Sequence, residues 1–211
     1  MIANLWQKVV RRLMRAHEHR RMVKAMRQPD GLAGHLAPAR AILFVCTGNI
    51  IRSAFAAELL RARSLGRTDL AIRSAGLNAT TDGPAHPTAV ECARRFGVDL
   101  GSHRTHRLDH SDLEAADVLL AMEIDQVVEI RRRFPPYRHK VYLFGCLNAN
   151  AQDVADPVDA PKDVFEACFE RIEYGVQRLV AMLSPACGAS ASTDKTQHGS
   201  ETPIQRSCSS V

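Results

Sequence analysis

Cys46 and Arg52 stand six residues apart in Phe44-Val-Cys-Thr-Gly-Asn-Ile-Ile-Arg-Ser53, with Gly48 and Asn49 between them. A thiol attacks as its thiolate, and electropositive surroundings favour that form. Glycine and asparagine enter the left-handed backbone region at the least cost, so a loop built on Gly48 and Asn49 can turn successive N–H groups inward as an anion nest. Arg52 adds a planar fork that matches a phosphate through two parallel hydrogen bonds. A helix expected to start near Ser53 contributes unpaired N–H groups and the positive end of its dipole. Together these residues predict a tetrahedral oxyanion seated over a cysteine thiolate. The Ser53 hydroxyl is placed to donate to that sulfur when it departs. A lone cysteine at a strand end is ordinarily a small buried hydrophobe, and Cys92, Cys146 and Cys168 are read that way. Cys46 differs by position, since it follows an apolar strand and precedes a helix start.

The elements around this segment alternate. Residues 41–45 form a continuous apolar run, as in a strand buried on both faces. Residues 54–63 then read as a helix, 70–74 as a second strand ended by Gly76, and 87–96 as a helix stopped by Gly97. A third strand at 117–122, a helix over about 123–133, a fourth strand at 140–144 and a closing helix over 161–183 complete the pattern. In the closing helix Val164, Phe165, Cys168, Ile172, Val176, Leu179, Val180 and Leu183 recur at helical spacing and are read as core. Strand–helix alternation implies an α/β fold, a four-stranded parallel sheet with helices on both faces joined by right-handed crossovers. Ligands of such sheets bind beyond the carboxyl ends of the strands, where strand order reverses. The Cys46 loop lies at the end of the first strand.

The 211 residues are 45% hydrophobic and 24% charged, which excludes wholesale disorder, collagen and disulfide mini-scaffolds. No apolar run approaches the roughly 18 to 20 residues that a bilayer crossing needs. Residues 1–40 read as a basic helical arm and linker. Within 1–27, eight Lys and Arg side chains face Glu18 alone, which leaves 20 basic and 22 acidic residues for the rest. The pI near 9.1 therefore describes the arm, and the body has no polyanion-binding character, so nucleic acid is not an expected partner. Ile2, Leu5, Trp6, Val9, Val10 and Leu13 share one helical face, whereas Met22, Val23 and Met26 fall on another, so two helical pieces are expected. Pro29, Gly31, Gly34 and Pro38 mark the linker. Residues 41–184 are long enough for one core, and 185–211, rich in Ser, Thr and Gly, are expected to be disordered. The six cysteines form no C-x-x-C pair and no secretory segment opens the chain, so a reducing, cytoplasmic setting is expected. His86, His106, His110 and His139 show no metal-ligand spacing with acidic or cysteine neighbours. No metal or other cofactor is assigned.

The stretch Val45-Cys-Thr-Gly-Asn-Ile-Ile-Arg-Ser53 resembles the C-x5-R-[ST] signature of the low-molecular-weight protein tyrosine phosphatases. The likeness spans about 41–183 and includes Ile72-Arg-Ser-Ala-Gly76, Ser102-His-Arg104 and Asp153-Val-Ala-Asp-Pro157. It implies a flavodoxin-like fold, Cys46 as nucleophile and Arg52 as phosphate clamp. The backbone amides from Thr47 through Gly48, Asn49, Ile50 and Ile51 to Arg52 would cradle the phosphate, with Ser53 beside the sulfur. It further implies that Ser74 and His103 hold Asn49 in a strained conformation. A departing oxide needs a proton and the later water must lose one. Asp156, stiffened by Pro157, matches the family's general acid, with Asp153 and Asp159 as neighbouring rivals.

The chain departs from the family pattern twice. Val158 stands where many members carry an aromatic wall of the substrate cleft. Ile51 replaces a cysteine able to protect the nucleophile as a disulfide. Ile50 and Ile51 are read as an apolar rim, better suited to an aryl phosphate than to a charged leaving group. The implied activity is hydrolysis of phosphotyrosyl proteins through a cysteinyl-phosphate. The Cys-Thr-Gly-Asn opening also resembles members acting on phosphoarginine. A thiol-dependent arsenate reductase would need two further cysteines close together, whereas Cys92 and Cys146 are 54 residues apart and Cys146 and Cys168 are 22 apart. The non-enzymatic alternative is a phosphate-binding adaptor recruited by the arm. For the arm itself, the bland reading is a solvated helix, and the sharper one is docking on an anionic membrane surface or an acidic partner.

Overall fold

The structure, a computed structural model, describes Lys24 and residues 31–64, 68–148 and 152–183. In chain order the elements are α1 (Leu32–Leu36), β1 (Ala41–Cys46), α2 (Arg52–Arg63), β2 (Ala71–Gly76), α3 (Pro87–Ala93), α4 (His110–Ala115), β3 (Val118–Ala121), α5 (Ile124–Arg133), β4 (Val141–Leu143) and α6 (Lys162–Leu183). The 41–46 run becomes the strand that carries a parallel neighbour on each edge, β2 on one side and β3 on the other. β4 extends the sheet beyond β3, giving the order β2-β1-β3-β4 with every pairing parallel. The chain winds first to one side of β1 and then to the other, so a crevice opens past the carboxyl ends of β1 and β3. Cys46 is the last residue of β1.

The two faces of the sheet belong to two cores, and the alternation of the strands divides them. Ile42, Phe44 and Cys46 of β1, with Val118 and Leu120 of β3, enter the core covered by α1, α2, α3 and α6. Leu43, Val45, Leu119 and Ala121 enter the other, under α4 and α5. A run with no polar residue is what a strand buried on both sides requires. Phe55 of α2 stacks on Phe169 of α6 with ring centroids 3.8 Å apart. Burying each such ring stabilises the fold by about 1.5–3 kcal/mol. That stack fixes α2, and with it the helix start beside Cys46, on the long α6.

Several expectations are corrected. The segment assigned to a linker contains α1, whose Leu32 and Leu36 are both fully buried, so the core begins before residue 41. Gly31, with φ of 89°, is the residue that precedes this helix, a turn position that the sequence pattern makes indistinguishable from a linker glycine. α4 was not expected at all. It starts at a capping box in which Asp109 and Asp112 each accept a hydrogen bond from the other's backbone N–H. Val164, read as core, is 43% exposed at the first turn of α6, where the apolar stripe has not yet met the sheet. The expected helix over 87–96 tightens to a 3-10 turn at Arg94–Phe96 before Gly97. The two helical pieces expected of the arm, Lys24 apart, and the disorder expected of the tail fall on residues outside the described ones. Among the described residues no helix is long and apolar enough to cross a membrane.

Candidate active site

Between β1 and α2 the chain turns through 47–51, and its carbonyls point away from the centre of that turn. Cys46 O accepts from Leu77 N (3.0 Å), Thr47 O from Asn78 N (2.9 Å) and Ile50 O from His86 N (2.9 Å). Ile51 O accepts from Phe55 N in α2 (2.9 Å), and Asn49 O takes a hydrogen bond from His103 Nε2 (2.7 Å). In a trans peptide the N–H opposes the carbonyl of the preceding residue. Carbonyls engaged outward therefore turn the N–H groups of Thr47, Gly48, Ile50, Ile51 and Arg52 toward the inside of the loop. The sixth, Asn49 N–H, points at Cys46 Sγ (3.2 Å). A ring of donors closed by a helix start is an oxyanion cradle, with a sulfur at its base.

Asn49 makes that ring possible. It is fully buried with φ of 56°, in the left-handed region that disfavours most side chains. Its side chain donates to Ser53 Oγ and Ser74 Oγ, both at 2.9 Å, and accepts from His106 N at 2.8 Å. His103 holds its carbonyl, and because that acceptor is a carbonyl, Nε2 carries the proton. Burial pushes the His103 pKa down and so favours the neutral ring, and the bond to Asn49 offsets this in part. Gly76, the last residue of β2, lies against the same loop. A Cβ there would come within 2.8 Å of Thr47 O and 2.9 Å of Asn49 N. Ser53 Oγ stands 3.0 Å from Cys46 Sγ.

Arg52 is 1% exposed. Its Nη1 donates to Val154 O (2.9 Å) and pairs with Glu123 Oε2 (3.1 Å), while Nη2 pairs with Asp156. Burial opposes its charge, but the proximity of Cys46, Asp156 and Glu123 outweighs that cost and raises its pKa above the ordinary value. Its Nε–H is buried with no protein acceptor among the described residues. Leaving such a donor unmet costs about 1–3 kcal/mol, which a bound oxyanion would relieve.

The structure thus brings together Cys46, Thr47, Gly48, Asn49, Ile50, Arg52, Ser53, Ser74, His103 and Asp156. Of the three aspartates, Asp156 is the one whose carboxylate pairs with Arg52. Ile51 departs from the rim expected for it. It is 2% exposed and packs in the core, leaving the half-buried Ile50 at the surface. Glu123 and Gln126 were missed. Gln126 donates to Glu123 Oε2 (2.6 Å) and to Thr47 Oγ1 (3.2 Å), tying the start of α5 to the cradle and orienting the carboxylate that holds Arg52. The signal open to sequence reading was their position just past β3, at the carboxyl end of the strand beside β1. His106, Asp109 and Asp112, contrary to the sequence reading of the histidines, do place one ligand atom each within 4.8 Å of one another. Their hydrogen bonds are those of the α4 cap: Asp112 Oδ2 accepts from Asp109 N (3.1 Å) and lies 2.7 Å from His106 Nε2.

A doubly wound parallel sheet whose first strand delivers a cysteine into an oxyanion cradle is the architecture of a cysteine-dependent phosphatase. The family described as low molecular weight phosphotyrosine protein phosphatase matches residues 41–187, and the chain belongs to it. The probable low molecular weight protein-tyrosine-phosphatase EpsP of Ralstonia nicotianae is 37% identical over 144 residues, 68% of this chain and 96% of that protein. The crystal structure of the tyrosine phosphatase AmsI of Erwinia amylovora superposes with a TM-score of 0.65 at 35% identity, covering 70% of this chain and 95% of the other. The YwlE arginine phosphatase of Geobacillus stearothermophilus superposes with a TM-score of 0.63 at 31% identity, covering 67% and 91%.

Proposed function

We propose that the protein hydrolyses phosphotyrosyl proteins by double displacement on Cys46. Cys46 Sγ attacks phosphorus in line, forming the S–P bond as the P–O bond to the leaving group breaks. Asp156 delivers a proton to the departing oxygen. The incoming phosphoryl group competes with Asp156 for the Arg52 fork and takes the unmet Nε–H, so its arrival frees the carboxyl to face the leaving group. Water then attacks the cysteinyl-phosphate, Asp156 takes its proton, and the sulfur departs as a thiolate that the Ser53 hydroxyl stabilises. The loop amides and Arg52 hold the equatorial oxygens throughout. The observation that carries this reading is the sulfur itself, met by Asn49 N–H and Ser53 Oγ, at the base of a ring of inward amides. Turnover of para-nitrophenyl phosphate, its loss in Cys46→Ser and its inhibition by vanadate are the expected results. Unimpaired turnover by Cys46→Ser would end the assignment.

The aryl preference is supported by Ile50, the half-buried apolar side chain of the loop, and by relatives that are tyrosine phosphatases. Phosphoarginine is the second reading, favoured by the likeness to the Geobacillus arginine phosphatase. Phosphotyrosine, phosphoserine and phosphoarginine peptides compared at equal concentration decide between them. Docking of the basic arm on an anionic membrane surface or an acidic partner is supported by the charge of residues 1–27 alone. Because α1 belongs to the core, the deletion that tests it should stop at residue 27. Unchanged partitioning onto anionic vesicles would remove the idea.

A further inference from the structure

A second cleft, of about 350 Å³, opens beside the cradle and is lined by Ser74 and His103 but not by Cys46, Arg52 or Asp156. Its volume is within the roughly 300–1,000 Å³ of small-ligand sites. Arginines reach it from three places: Arg61 from α2, Arg73 from β2 and Arg104 from the segment after His103. Exposed arginines are ordinarily solvated, so the charge balance decides whether these amount to more. Arg61 is neutralised by Glu58 and also donates to Ile72 O. Asp112, the other acid of the lining, has its Oδ2 engaged by Asp109 N and His106. Arg104 donates to the carbonyls of His103 and Gly101, and neither it nor Arg73 pairs with a carboxylate among the described residues. Two guanidinium groups without a carboxylate partner thus face one polar cleft, whose three arginines outweigh Glu58 and Asp112 by one positive charge, beside a serine hydroxyl and an imidazole that favours its neutral form. A guanidinium fork matches a phosphoryl group or a carboxylate through two parallel hydrogen bonds, and a phosphoryl group has oxygens enough to engage both forks at once.

We propose that this cleft is a second phosphoryl-binding site, held by Arg73 and Arg104 and adjoining the residues that fix Asn49. Ser74 accepts from the Asn49 side chain at 2.9 Å and His103 donates to its carbonyl at 2.7 Å. A ligand in the cleft therefore touches the supports of the cradle without entering it. The phosphoryl group has two sources, free phosphate or a second phosphorylated side chain on the substrate.

Titration of the full chain with inorganic phosphate, followed by amide NMR, separates the two sites by residue. The expected result is movement of the amides at 73–74 and 103–104 with an affinity distinct from that of 47–52. The Arg73→Ala/Arg104→Ala variant should lose the first set and keep the second. Still amides at 73–74 and 103–104, or shifts there that survive the double variant, overturn the proposal. Failure of 47–52 to respond counts instead against the proposed function, so the two are told apart. Given that binding, a doubly phosphorylated peptide with a KM about tenfold below its singly phosphorylated form, an advantage lost in the double variant, assigns the ligand to the substrate. Equal KM values assign it to free phosphate.

Discussion

His103 Nε2 and the carbonyl of Asn49 are 2.7 Å apart, and through this bond a residue 54 positions away holds the left-handed turn of the cradle. Asn49 and Asp82 are the non-glycine residues with positive φ among those described, and Asn49 is the one at the base of the site.

Removing either support should loosen the cradle without emptying it. Ser74→Ala and His103→Ala each delete one hydrogen bond, worth about 1 kcal/mol net. A fall in kcat of up to about tenfold is expected in each, with KM moved less. Steady-state kinetics on para-nitrophenyl phosphate reads this. Unaltered kcat in both variants would show that Asn49 keeps its conformation unaided.

Gly76→Ala should be far more damaging. Its methyl group would meet backbone atoms of Thr47 and Asn49, which cannot yield as a flexible side chain would. The cradle must shift, and misplacement by about 1 Å costs on the order of 100-fold in rate. A loss of that size in kcat/KM, with the fold kept by circular dichroism, is the expected outcome.

Asp156→Asn removes the proton donor and leaves Arg52 anchored by Glu123 and Val154. Loss of a general acid costs about 100- to 10,000-fold. The cost should be greater for alkyl phosphates, which are poor leaving groups, than for para-nitrophenyl phosphate. Equal slowing of both would take Asp156 out of the acid role.

The pH dependence of stability follows from His103. Burial holds its folded pKa below the ordinary 6.5. The unfolded chain therefore binds the proton first as pH falls, and its net effect is to favour unfolding. Stability from this group is fully present above pH 6.5 and is lost as the pH drops from there toward the folded pKa. Melting temperatures between pH 5 and 7.5 should decline less steeply in His103→Gln than in the parent chain.

The candidate site was legible where its residues are contiguous. The 46–53 segment carries its own reasons, since a strand run, Gly48 and Asn49 at a turn and an arginine at a helix start are local features. Glu123 could not be read as a partner of Arg52, nor Gln126 as a partner of Thr47, because both contacts depend on β3 lying beside β1. α1 was hidden for a related reason: its few residues have no period of their own, and burial of Leu32 and Leu36 against the core makes them a helix.

The amino-acid sequence by itself determined the alternation of elements, the double burial of β1 and the chemistry of the Cys46 loop, because backbone preference and apolar spacing act over a few residues. Only the tertiary structure decided that Ile51 points into the core and that Asp156 is the aspartate on Arg52. It also decided that Ser74, His103 and Gly76 close around Asn49. Those outcomes depend on which strands and loops are neighbours in space, and such pairings are set by packing of the whole sheet rather than by any short stretch of chain.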